Sequence, residues 1–191
     1  MVRLVRRSIA FVLALCVTAT LVGGATSAGR GPVGPVLVVA NDVPNDVRAL
    51  ALDTWDRFLN AFPARRACIP PVTLSHAWEF ADRAAYDPAE QAVVVRVPAT
   101  APNLQASLVH EFAHHVEFTC DAHASLRRRF LVATGSAPNS PWFSGRDWEQ
   151  VPSERYAEAV TVYVLHERPS HLRVSVPREA LDEIEHWAVG S

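Results

Sequence analysis

Apolar residues follow two rhythms along this chain, a short alternating or continuous one before residue 100 and a mostly helical one after it. Val36 to Ala40 is a brief β-branched run and predicts a strand. From Pro44 to about Phe62, the residues Val47, Leu50, Leu52, Trp55, Phe58 and Leu59 recur at helical spacing. Pro44 and Asn45 supply the start of that helix and Pro63 its stop. Pro70 and Pro71 interrupt the chain before a second strand, Val72 to His76. Ala85 to Val97 reads as a hairpin, with Asp87-Pro88 at the turn and Val93, Val94, Val95 and Val97 in the returning strand. Thr100 and Pro102 open a longer helix, along which Val109, Phe112, Ala113, Val116 and Cys120 share one face. Helix continues over residues 125–132, whereas residues 133–150, rich in Gly, Ser and Pro, read as a loop. Pro152 opens a helix to about Leu165, and Pro177 opens a last one through Trp187. The expected class is α+β, one small sheet packed with helices that mostly follow it.

Composition narrows the picture. A chain of 191 residues with 49% hydrophobic content suits one well-buried core. Its 18 basic residues, all arginine, never cluster beyond Arg127-Arg128-Arg129, which argues against a nucleic-acid partner. The first 28 residues have the layout of a signal peptide: Arg3, Arg6 and Arg7, then an apolar stretch from Ile9 to Val22, then Thr26-Ser27-Ala28 at a cleavage site. An uncleaved anchor is the competing reading, but the stretch is short for a span. Cys16 is preceded by Leu15 where lipidation needs a small residue, which excludes a lipoprotein site. The mature domain is then 29–191, exported, monomeric and without a membrane span. Export leaves Cys68 and Cys120, an even count in an oxidising compartment, which favours a disulfide over two free thiols or a thiol metal ligand.

The chemistry concentrates at residues 110–115, His-Glu-Phe-Ala-His-His, whose first five positions fit H-E-x-x-H. His110 and His114, four apart on a helix, project from one face and can close on one metal ion. Glu111 stands beside the first of them, where its carboxylate can reach a water at the metal. Hydrolytic zinc sites usually have three protein ligands and leave one position open, so a third is needed. A histidine ten residues after His110 would mark the metzincin pattern; that position is Cys120, and Glu117 stands where the pattern wants glycine. Downstream, Glu154 and Glu158 also lie four apart on a helix. One can bind the metal while the other accepts a hydrogen bond from the free nitrogen of a ligating histidine. Asp121 and His123 are rival third ligands. His115 points about a hundred degrees away from His114 and is expected as a satisfied surface or half-buried residue. Trp142, Phe143 and Trp148 either line a cleft or pin their loop to the body.

Together the two motifs resemble the gluzincin metallopeptidases, in the form E-x-x-A-E that follows H-E-x-x-H in the catalytic domain of anthrax lethal factor and in small secreted bacterial zincin-like proteins. The resemblance covers roughly residues 90–166. It implies a minimal zincin-like domain, in which a small sheet packs on an active-site helix and a glutamate helix follows. It also implies His110, His114 and Glu154 as ligands of Zn2+, Glu111 as general base, and Glu158 as the hydrogen-bond partner of His110. The implied activity is hydrolysis of a peptide or protein substrate, and an edge strand, Val93 to Val97, would hold that substrate extended. Members of this group stabilise the oxyanion with a tyrosine or histidine. The loop before Glu154 has no tyrosine, which leaves Tyr156, Tyr163, His166 and His171 open. The alternative function is a secreted zincin-fold protein that binds without turnover; the presence of Glu111 favours catalysis.

Overall fold

The structure, a computed structural model, describes residues 34–167 and 174–191. The expected signal segment and His171 lie outside them. Among the described residues, four strands and five helices follow in the order β1 (Leu37–Val39), α1 (Asn45–Ala61), β2 (Val72–Ala77), β3 (Ala84–Asp87), β4 (Ala92–Arg96), α2 (Ala101–Thr119), α3 (His123–Ala133), α4 (Pro152–Leu165) and α5 (Arg178–Val189). Short 3-10 turns cover Pro63–Cys68 and Trp148–Gln150. The class is α+β, as the patterning predicts.

The sheet order is β1-β2-β4-β3, parallel except for the antiparallel β3–β4 pair. The β3–β4 turn forms where expected because the Asp87 carboxylate accepts hydrogen bonds from the backbone N–H groups of Ala89 and Glu90. Val93 to Val97 is nevertheless not the edge. β4 is hydrogen-bonded to β2 on one side and β3 on the other, so its backbone groups are spent within the sheet, and β3 is the free edge on that side. Leu52 also departs from its predicted stripe and stays 42% exposed on the outer face of α1.

The motif helix α2 is the centre of the domain, enclosed by α1, α4, β3 and β4. Thr100 precedes it and Pro102 sits in its first turn, where a missing N–H costs nothing. Trp55 and Phe58 of α1 meet Phe112 edge-on at 4.7 and 5.7 Å between ring centroids, which anchors one side. α4 covers the other side and is tied to α1 by Arg57, which donates to the carbonyls of Val164 and Leu165 at the α4 C-terminus. Cys68 and Cys120 are joined by a disulfide that fixes the end of α2 to the turn after α1, which removes the free-thiol and metal-thiolate alternatives.

Where a stripe was expected, α2 is buried nearly all round. Beside its apolar residues it buries Glu111, His114, His115 and Glu117. Burying that many ionisable groups on one helix is costly unless each has a partner. Their partners define the site.

Candidate metal centre

His110 and His114 stand one turn apart on α2, and Glu154 enters from the first turn of α4, which Pro152 opens. Their ligand-type atoms converge. His110 Nε2 lies 3.1 Å from His114 Nε2 and 3.1 Å from Glu154 Oε2, and His114 Nε2 lies 3.5 Å from the same oxygen. Ligands held tetrahedrally at ordinary zinc–nitrogen and zinc–oxygen distances are about 3.3–3.4 Å from one another, so the spacing suits a small divalent ion. Two imidazole lone pairs facing each other this closely need a positive charge between them. The three residues form a group that could hold a metal ion.

The other nitrogen of each imidazole meets a carboxylate. His110 Nδ1 lies 3.2 Å from Glu158 Oε1, the partner the sequence indicates. His114 Nδ1 lies 2.8 Å from Glu117 Oε1, a partner the sequence reading misses. Glu117 has a fully covered side chain and accepts two more hydrogen bonds, from Ser153 Oγ to Oε1 and from Trp142 Nε1 to Oε2. The signal was present, since Glu117 follows His114 by three positions and such pairs meet on a helix. Each histidine thus donates from Nδ1 and presents Nε2 to the shared point.

Charge is distributed accordingly. Burial alone would lower His110, but Glu154 and Glu158 raise it to about 9. Burial likewise opposes charge on His114, and Glu117 with Glu154 raises it to about 10. Glu154 would be raised by burial, yet the two imidazoles bring it down to about 2. The cluster therefore stabilises positive charge, carried by protons or by a metal. Glu111 differs: burial raises its carboxyl above the ordinary value, although His110, His114 and a hydrogen bond from the Tyr86 backbone N–H pull the other way. A carboxylate held in this balance beside the ligands is suited to accept a proton.

These groups line a cleft of about 650 Å³ whose walls include Tyr86 on β3, Phe118 on α2, and Phe143 and Trp148 from the loop before α4. Phe143 stacks on Phe118 at 5.0 Å, and Trp148 stacks on the His110 ring at 6.0 Å. Trp142 instead turns inward and pins the loop, so both expectations for these aromatics hold, at different positions. Arg127 lies over the rings of Trp142 and Phe143 and donates to the Glu117 backbone carbonyl. Gly145 is needed here, because a Cβ would meet Val151 N at 2.7 Å and Gln150 C at 2.8 Å.

Several candidates fall away. His115 is fully buried rather than half-exposed. Its Nε2 donates to Pro70 O and its Nδ1 accepts from the Tyr86 hydroxyl, which ties β3 to α2. Asp121 is exposed beyond the end of α2, and His123 is buried against Trp142, Tyr156 and Trp187, so neither rival joins the ligand group. Tyr156 packs into that same aromatic cluster with a buried hydroxyl, and the Tyr163 hydroxyl donates to Ala61 O. His166 caps the far end of α4, about 18 Å along the helix from Glu154. No protein-family model, curated protein or solved structure matches the chain.

Proposed function

We propose that the chain is a zinc-dependent peptidase of the gluzincin type, exported through its N-terminal segment. The observation that supports this best is the convergence of His110, His114 and Glu154 at 3.1–3.5 Å beside the buried carboxylate of Glu111, in an open cleft. Neutral imidazole and carboxylate donors suit Zn2+, with His110, His114 and Glu154 holding it. Bound there, zinc supplies a Lewis acid that eases loss of a proton from water near neutral pH and polarises a carbonyl. Glu111 takes that proton as the water attacks a peptide carbonyl, then returns it to the departing amine. Glu158 keeps His110 in the tautomer with Nε2 free. Alternation along β3 turns the backbone groups of Ala84 and Tyr86 away from β4, because the Arg96 N–H bonds Arg83 O. The Tyr86 N–H engages Glu111, and the Ala84 groups remain to hold an extended substrate.

A second reading, a secreted zincin-fold protein that binds without turnover, draws on one observation. Tyr156, Tyr163 and His166 all lie away from the cleft, so none of them is placed to stabilise an oxyanion. One experiment separates the two. Natively purified protein is assayed for metal by mass spectrometry and then for cleavage of a peptide library, with and without chelator. Zinc at one equivalent with chelator-sensitive cleavage supports the peptidase, and zinc without cleavage supports the binding protein. Absence of metal overturns the peptidase.

A further inference from the structure

Glu117 is the most enclosed acid on α2, and three elements reach it: His114 from its own helix, Ser153 from α4 and Trp142 from the loop that carries Phe143 and Trp148. A buried carboxylate with three donors is a joint between whatever those donors belong to. We infer that Glu117 is a positioning residue that holds His114 with Nε2 free for the metal and, through Trp142, sets the loop wall of the cleft, so that metal uptake and loop order are coupled. The inference rests on the metal reading above.

The chemistry leaves little tolerance for substitution. A carboxylate only accepts, and all three partners donate to it. An amide at this position keeps one accepting oxygen, so its NH2 must face one of the donors. Facing Trp142, it releases the loop. Facing His114, it favours the tautomer with the proton on Nε2, which blocks the metal. Coupling through one group is reciprocal: if an ordered loop favours the metal, the metal orders the loop.

The test uses the full chain and zinc alone, with Glu117→Gln and Trp142→Phe beside the wild type. Zinc affinity is read by competition with a chelator, coordination by the absorption spectrum of the Co2+-substituted protein, and loop order by hydrogen exchange over residues 137–151. In Glu117→Gln, zinc affinity should fall roughly 10–100-fold and the Co2+ spectrum should change. In the wild type, zinc should slow exchange in the loop. Trp142→Phe, which keeps the carboxylate and most of the apolar bulk, should speed loop exchange roughly 10-fold or more and shrink the zinc-dependent slowing. A folded Glu117→Gln with wild-type affinity and spectrum overturns the inference while leaving the metal reading intact. If that variant does not fold, Trp142→Phe decides: undiminished zinc-dependent protection overturns it. A wild type that takes up no zinc overturns the metal reading and this inference together.

Discussion

Glu158 and His110 meet across the α2–α4 boundary, Oε1 to Nδ1 at 3.2 Å, so the histidine that faces Glu154 with one nitrogen is held from behind with the other. One glutamate of the pair on α4 thus touches the shared ligand point, and the second reaches it through an imidazole. The two should respond differently to removal. Glu154→Ala should weaken zinc binding by several orders of magnitude, since a charged ligand is lost, and Glu158→Ala by roughly 10–100-fold. Chelator competition on both variants checks the order. Equal losses would show that Glu158 is a ligand as well.

Glu111→Gln should retain zinc and lose peptide cleavage. The side chain is nearly isosteric and is outside the ligand group, whereas an amide cannot take a proton from water. The loss expected for a general base is roughly 10²–10⁴-fold in turnover at equal zinc occupancy. Equal cleavage by both proteins would place the activity elsewhere.

Removing the Cys68–Cys120 disulfide, with both residues changed to serine, should cost about 4 kcal/mol, given a loop spanning 52 residues of separation. Denaturant unfolding in the presence of chelator measures it without the contribution of bound metal. A loss below about 1 kcal/mol would mean that the chain-entropy account does not apply to this loop.

Acid should destabilise the protein through His123. Burial, with Arg127 and His114 adding to it, brings this histidine down to about 3. The unfolded chain binds a proton there below about pH 6.5, which the folded state refuses until about pH 3, so stability is present above that window and falls as pH drops through it. The slope approaches about 1.4 kcal/mol per pH unit for one proton. His123→Asn keeps an acceptor for the Arg127 Nε–H and does not titrate. Its stability gap to the wild type, read from urea unfolding with chelator present, should narrow between pH 6 and pH 4; a constant gap would remove His123 from the acid response.

Gly145→Ala should loosen the loop wall, because the added methyl would collide with the backbone of Gln150 and Val151 at 2.7–2.8 Å. Displacing backbone costs about 1–3 kcal/mol, and the strain falls next to Trp148. Limited proteolysis should nick residues 134–151 faster in the variant, and cleavage of peptide substrates should slow. Unchanged nicking would show that the loop absorbs the methyl elsewhere.

Local spacing was sufficient for much of this protein. The helices and strands were legible because apolar periodicity and proline punctuation act over a few residues. His110, His114, Glu154 and Glu158 were legible because two pairs at a four-residue interval must each share a helix face. Spacing would also have excluded Tyr156 as an oxyanion donor, since two positions beyond Glu154 a side chain leaves the opposite side of the helix.

What lay beyond local spacing depended on partners far apart in the chain. Val93 to Val97 looked like an edge strand, yet sheet order is set by hydrogen bonds to β2 and β3, and no pattern within β4 encodes which neighbours it takes. His115 looked half-exposed and proved fully buried, because Pro70 and Tyr86 arrive from other elements to satisfy both of its nitrogens. Glu117 divides between the two: its spacing from His114 was legible, but its burial was not. Three residues after His114, it would be an ordinary surface carboxylate on an isolated helix. It becomes the buried partner of that histidine only because Trp142 and Ser153 close over it and supply the hydrogen bonds that make a buried charge tolerable.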